Sequence, residues 1–378
     1  MTRLPHPHVD PEGLEEFSVV FTDRSLNHMS ARFQAVMRDL SEGLREVYGA
    51  AAVAVVPGGG SYAMEAVARQ FGRGARVLVV RNGWFSYRWS QIFEAGGFAS
   101  AVDVVMARQS GNEARAPYAP PPVEEVVARI REQRPAAVFA PHVETSAGII
   151  LPDDYIRAMA EAAHEVGALM VLDCIASGCI WVDMAASGVD VLISAPQKGW
   201  SASPSAGLVM LSERAEARLA ETASDSFALD LKKWRAIMAA YEGGGHAYHA
   251  TMPTDALLGF RDAMAETRAM GFEAAQAAQW DLGRGVRALL AARGVRSVAA
   301  EGFAAPGVVV SYTDDPAIQN GARFRELGLQ IAAGVPLQVG EGEAFRTFRI
   351  GLFGLDKLRD VPATLARLER ALDGLETL

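Results

Sequence analysis

Short apolar runs at residues 51–56, 76–80, 136–140, 169–172 and 189–194 alternate with stretches whose apolar residues recur at helical spacing, such as 64–71, 123–132 and 154–166. Strands buried on both faces and separated by helices predict a mostly parallel sheet flanked by helices, an α/β fold. Ligands of such sheets bind beyond the carboxyl ends of the strands. The texture changes after Pro253. Residues 255–293 contain no proline, are rich in Ala, Leu, Glu and Arg, and predict one long helix or two abutting ones. Short strands follow at 308–312 and 347–350, with helices near 317–327 and 357–372. This α+β pattern predicts three parts: an N-terminal arm (1–28), a large domain (29–253) and a smaller C-terminal domain (254–378).

Composition narrows the class. The 378 residues are 50% hydrophobic, enough for a sizeable core, and 36 basic residues against 45 acidic ones give a net charge of −9. Nucleic-acid binders carry a basic face, so that class loses weight. No apolar run approaches the roughly 20 residues of a membrane span, and residues 1–11 contain no apolar signal core. Cys174 and Cys179 are too few for a disulfide framework or a four-cysteine metal site and read as small core residues. A cytoplasmic enzyme is the expectation.

Three features carry candidate chemistry. Pro57-Gly58-Gly59-Gly60-Ser61 follows the first apolar run and opens a helical stretch. Its glycines let backbone N–H groups approach an anion, and the helix N-terminus adds its dipole. The spacing matches neither a nucleotide P-loop nor Gly-x-Gly-x-x-Gly, which disfavours a nicotinamide dehydrogenase, and the turn by itself is equally well an ordinary strand-to-helix connection. Asp173 ends an apolar strand. A carboxylate there can hold a pyridinium nitrogen protonated, although an isolated Asp in that position is more often a cap. Lys198 follows a buried-looking strand in the company of Pro196, Gln197, Gly199 and Trp200, unlike a surface lysine. A desolvated lysine has a lowered pKa and can form a Schiff base at neutral pH.

Asp173 followed 25 residues later by Ser-x-x-Gln-Lys resembles the class V, fold-type I pyridoxal-phosphate aminotransferases, in their alanine–glyoxylate, serine–glyoxylate and serine–pyruvate branch. The resemblance extends from about residue 29 to the C-terminus. It implies that Lys198 carries the cofactor and Asp173 holds its ring nitrogen. Gly59, Gly60 and Ser61 would form the phosphate cup, with Gln197 beside it. In Asn82-Gly83-Trp84-Phe85 the ring that stacks on the cofactor is Phe85, or its neighbour Trp84. His142-Val143-Glu144-Thr145-Ser146 resembles the run whose Thr145 bonds the phenolic oxygen. Tyr248 and Thr251 would bind phosphate across a homodimer interface, and Arg349 would grip the substrate carboxylate. No metal is implied. The implied activity moves an amino group from alanine, serine or a similar small amino acid to glyoxylate or pyruvate.

One departure concerns substrate choice. Where that branch has a Gly-Pro-Gly-Pro loop, this chain reads Val20-Phe21-Thr22-Asp23-Arg24-Ser25-Leu26-Asn27-His28. Arg24 or His28 could receive a second polar group of the donor; a charged arm packing on the dimer partner is the equal alternative. A lyase or epimerase on the same fold stays open, because the reaction depends on substrate posture. A cysteine desulfurase is disfavoured, since both cysteines lie beside Asp173, and the intact set Asp173, Lys198 and Arg349 disfavours an inactive relative.

Overall fold

The computed structural model describes residues 9–15, 17–19 and 24–375. Seven strands form its central sheet: β1 (Ala52–Pro57), β2 (Arg76–Arg81), β3 (Ala101–Met106), β4 (Ala137–Pro141), β5 (Leu169–Asp173), β6 (Val191–Ser194) and β7 (Ala206–Leu211). Their spatial order is β1-β7-β6-β5-β4-β2-β3. Neighbours from β6 to β3 pair in parallel, whereas β7 runs antiparallel to both β1 and β6. β1 therefore points the same way as the other five, and six strands end on one edge of the sheet. Every residue of β4, β5 and β6 is buried, as a sheet covered on both faces requires.

The hydrophobic pattern located five of these strands and missed two. β3 is an edge strand with half-buried and exposed positions, so its apolar signal is diluted. β7 is fully buried but follows the polar turn after Lys198 closely, where no separate helix announces it. Three helices frame the sheet's site-bearing part: α1 (Ala31–Tyr48), α2 (Gly60–Gly72) and α3 (Trp84–Gly96). Ser30 caps α1 by accepting the Phe33 N–H, and Gly49 ends it in the left-handed region.

The stretch 255–293 is two helices, α4 (Thr254–Met270) and α5 (Phe272–Ala291), separated at Gly271, whose φ is 91°. Leu257, Phe260 and Met264 of α4 bury into the same core as Phe33 and Val36 of α1. Ala275, Leu282 and Val286 of α5 instead share a core with Phe348 and Ile350. The latter two lie in a small antiparallel sheet of β8 (Val308–Tyr312), β9 (Ala332–Ala333) and β10 (Thr347–Gly351), with β10 in the middle. No helix among the described residues is long and apolar enough to cross a membrane.

β7 holds the glycine-rich turn in place by close approach. A Cβ on Gly207 would stand 2.3 Å from the Ala63 Cβ of α2 and 2.8 Å from the Gly59 carbonyl oxygen. Gly207→Ala is expected to lower stability by about 1–3 kcal/mol through overpacking. Thermal unfolding of the variant checks this; an unchanged Tm would show that β7 and α2 have slack.

Candidate active site

Lys198 sits in the turn leaving β6, and its neighbours explain why it is held there. Trp200 is fully buried, packed on Trp181 at 4.7 Å between ring centroids and on Phe260 at 5.8 Å. Gly199 passes so near Gly178 that a Cβ would lie 2.0 Å from the Gly178 carbonyl oxygen. Ser201 adopts φ 59°, unusual for a residue with a Cβ, and its hydroxyl accepts the Leu355 N–H at 2.9 Å. The turn is thus clamped on three sides. The Lys198 amine lies 5.3 Å from the centroid of Phe353, just beyond β10. Burial, and then the charges of Arg349 and Arg88, hold this amine below its ordinary pKa.

Asp173 ends β5 and is 8% exposed. Among the described residues its carboxyl accepts one hydrogen bond, from the Ile175 N–H to Oδ1 at 2.9 Å. Burial pushes it up to about 7; Glu144's charge adds to the rise, while the Ile175 N–H and Arg88 oppose it. Ile175 also packs on the glycine turn, since a Cβ on Gly60 would meet its Cδ1 at 2.5 Å. The turn after β1 and the end of β5 therefore abut. Gly59 precedes α2 without any side-chain cap, and nothing lies within 4 Å of where its Cβ would be. The Oε1 of Gln197 is buried with no partner among the described residues.

The third wall is the N-terminus of α3. Glu144 is fully buried there and accepts five hydrogen bonds: Phe85 N–H at 3.2 Å, Ser86 N–H at 2.9 Å, Ser86 hydroxyl at 2.7 Å, Ser146 N–H at 3.0 Å and Ser146 hydroxyl at 2.6 Å. Ser146 Oγ in turn accepts the Trp84 N–H at 2.9 Å. Orphan donors of the helix start are satisfied by a carboxylate placed where the macrodipole favours it. This sets the Phe85 ring, and the guanidiniums of Arg88 and Arg349 each lie 5.4 Å from its centroid. Trp84 lies instead beside Tyr87, at 6.0 Å. Arg349 reaches the site from β10, and its Nε donates to the Ala333 carbonyl at 2.8 Å. Burial holds its guanidinium below the ordinary value, with Glu144 opposing.

The structure thus gathers Asp173, Lys198, Phe85, Arg349 and the Gly59–Ser61 turn. Thr145 is half-buried, and its hydroxyl makes no hydrogen bond among the described residues. Tyr248 and Thr251 are exposed and bond each other, oxygen to oxygen, at 3.1 Å. No contact among the described residues joins them to Lys198. His28 stands against them, its ring 5.4 Å from Tyr248 and 5.9 Å from His246. Phe21 and Asp23 lie outside the described residues. Cys174 and Cys179 are free and buried.

Sequence reasoning missed three members: Arg88, Glu144 and Phe353. Arg88 was within reach, because positions three apart on a helix share a face and Phe85 was already placed. Glu144 stands inside the His142–Ser146 run but received no role there, and Phe353 carries no local signal. One acts as a cap on a helix distant in the chain, and the other follows the last strand of the small sheet.

A mostly parallel sheet with a lysine turn at its carboxyl edge and an appended antiparallel unit defines the class. An alanine–glyoxylate aminotransferase from Nostoc sp. has the same fold, with a TM-score of 0.76 and 24% identity across 92% of this chain and 89% of that one. The chain belongs to the class-V aminotransferase family, whose model matches residues 14–308. A 2-aminoethylphosphonate–pyruvate transaminase of Paraburkholderia phymatum is 30% identical over 358 residues, 91% of this chain and 89% of the relative. A soluble hydrogenase small subunit of Synechococcus sp. is 26% identical over 375 residues, 98% and 92% of the two chains. Among the described residues no group of three or more His, Cys, Asp or Glu is placed to hold a metal ion.

Two measurements follow. Glu144→Gln keeps the shape but turns an amide NH2 toward N–H donors, so a loss of roughly 2–3 kcal/mol in thermal unfolding is expected; full stability would deny the cap its role. Asp173 gives a pH signature. Between about pH 4 and 7 the folded chain keeps a proton there that the unfolded chain has released, so this group's stabilisation falls as pH rises. His142, which burial pushes down to about 4, runs the other way between pH 4 and 6.5. Comparison with Asp173→Asn isolates the first effect. In cofactor-free protein the stability of wild type minus variant should fall by roughly 4 kcal/mol from pH 4 to 8. A constant difference would contradict it.

Proposed function

We propose that the chain is a pyridoxal-phosphate-dependent aminotransferase, working as a cytoplasmic homodimer, that moves the amino group of alanine, serine or a similar small amino acid to pyruvate or glyoxylate. The observation that carries this reading is the meeting of Asp173, Lys198, Phe85 and Arg349 beside an uncapped helix N-terminus. Membership of the class-V family supports it, as does the pyruvate-using relative.

The residues fit the cofactor. A buried Asp173 with one hydrogen bond suits a protonated ring nitrogen, and the open space at Gly59 suits a phosphate on the first N–H groups of α2. The unpartnered Gln197 Oε1 fits beside that group, and Phe85 offers a flat face. Thr145's hydroxyl is available for the ring's phenolic oxygen. When bound, pyridoxal phosphate supplies an electron sink for charge leaving the donor's Cα.

The chain's own groups do the rest. Arg349 takes the α-carboxylate in its fork and so sets which Cα bond faces Lys198. The Lys198 amine, its pKa lowered by burial and by the two guanidiniums, is the group that accepts the Cα proton at Nζ and returns it to the adjoining atom. Asp173 stays ionised once a cation lies against it. Tyr248 and Thr251 are exposed, where a partner subunit's phosphate would meet them, and the His28 ring lies 5.4 Å from that of Tyr248. On this reading His28 would contribute to the partner's substrate pocket.

Donor added without acceptor tests the reaction type. One keto acid per site should appear and the reaction should stop, restarting only when pyruvate or glyoxylate is supplied. Continuous turnover without acceptor would mean a lyase. Lys198→Ala should lose the visible absorption of the loaded protein and at least about a thousandfold in rate, as both anchor and proton carrier disappear; retained activity would refute the assignment.

A further inference from the structure

We infer that Arg88 is a phosphate-binding residue of the cofactor site, its guanidinium held at the Gly59-Gly60-Ser61 turn by the Ser61 hydroxyl. The inference rests on the cofactor reading above and adds a residue to it.

The geometry begins with α3. Arg88 lies three residues after Phe85, and its guanidinium carbon stands 5.4 Å from the Phe85 centroid, so the ring sets its direction. Nη1 donates to Ser61 Oγ at 2.8 Å. Ser61 is the second residue of α2, whose start has no side-chain cap. Two positive ends therefore meet at one place: the α2 N-terminus and a guanidinium. Among the described residues no carboxylate lies within ion-pairing distance of Arg88. Its charge still reaches further, adding to the lowering of the Lys198 amine and opposing the rise of the Asp173 carboxyl.

An uncompensated cation beside exposed N–H donors is an oxyanion site. The turn itself offers two glycines, one hydroxyl and backbone amides, with no charged side chain to balance a phosphate dianion. Space is present too, since nothing occupies the position of a Cβ on Gly59. One guanidinium nitrogen is spent on Ser61, which leaves the rest of the fork for phosphate oxygens. Arg349 already faces the substrate end from the small sheet, so the two arginines divide the anions between them.

The test compares two ligands that differ only in the phosphate. Cofactor is stripped from wild type, Arg88→Met and Arg88→Lys, and pyridoxal phosphate and pyridoxal are titrated into each by equilibrium dialysis. Arg88→Met should weaken pyridoxal phosphate binding roughly ten- to a hundredfold while pyridoxal stays within about threefold, as for loss of one charge-assisted contact. Arg88→Lys should fall between. Equal loss for both ligands, or none, overturns the inference. So does an effect confined to the KM of a dicarboxylic donor. Failure of wild type to bind pyridoxal phosphate would sink the underlying reading instead. Thermal unfolding of the stripped proteins separates misfolding from lost contacts, and Arg88→Lys carries the test if Arg88→Met does not fold.

Discussion

Everything in the site answers to one electrostatic problem: a lysine amine is held in a largely desolvated place with two guanidiniums near enough to be felt. Burial first, and the two guanidiniums after it, disfavour the charged amine and lower its pKa. A fold that keeps this arrangement must hold the lysine turn rigidly. Trp200 buried beside it, Gly199 against Gly178, and Ser201 in an unfavourable backbone region tied to Leu355 do that. Asp173 is the mirror case, an acid whose burial makes it hold a proton until a cation faces it.

The strand order explains how these groups meet. Six strand ends share one edge because β7 alone reverses direction. The glycine turn leaves β1, Asn82-Gly83 leaves β2, His142 leaves β4, Asp173 closes β5 and Lys198 follows β6. Each lies at or just beyond the end of a strand in a rigid sheet, which is where chemistry is best placed. Arg349 comes from the small sheet and Phe353 from just beyond it, so the small sheet has to be in place for either to reach the site. Glu144 then serves as a joint, drawing the starts of α3 and of the Ser146 turn onto one carboxylate.

Much of this was legible beforehand. Continuous apolar runs gave away the buried parallel strands, because such strands have no polar face to hide them. Lys198 stood out by its company, whereas Asp173, which alone reads more often as a cap, came with the motif set, as did Phe85 and Arg349. What stayed hidden has physical reasons. β3 lies at an edge and mixes polar with apolar positions, so its periodicity fades. Whether 255–293 is one helix or two abutting ones stayed open, because the split turns on a single positive φ at Gly271 within an otherwise helical stretch. Glu144's role depends on five donors from two separate segments, and no spacing rule encodes that. Arg88 was visible in the sequence but anonymous until Ser61 was seen at its side.

The chain holds four lysines, Lys198, Lys232, Lys233 and Lys357, so the central claim has a direct test. Borohydride treatment of the protein loaded with pyridoxal phosphate, followed by peptide mass mapping, should place one pyridoxyl group per chain on Lys198. Labelling of another lysine, or of none, would contradict the account.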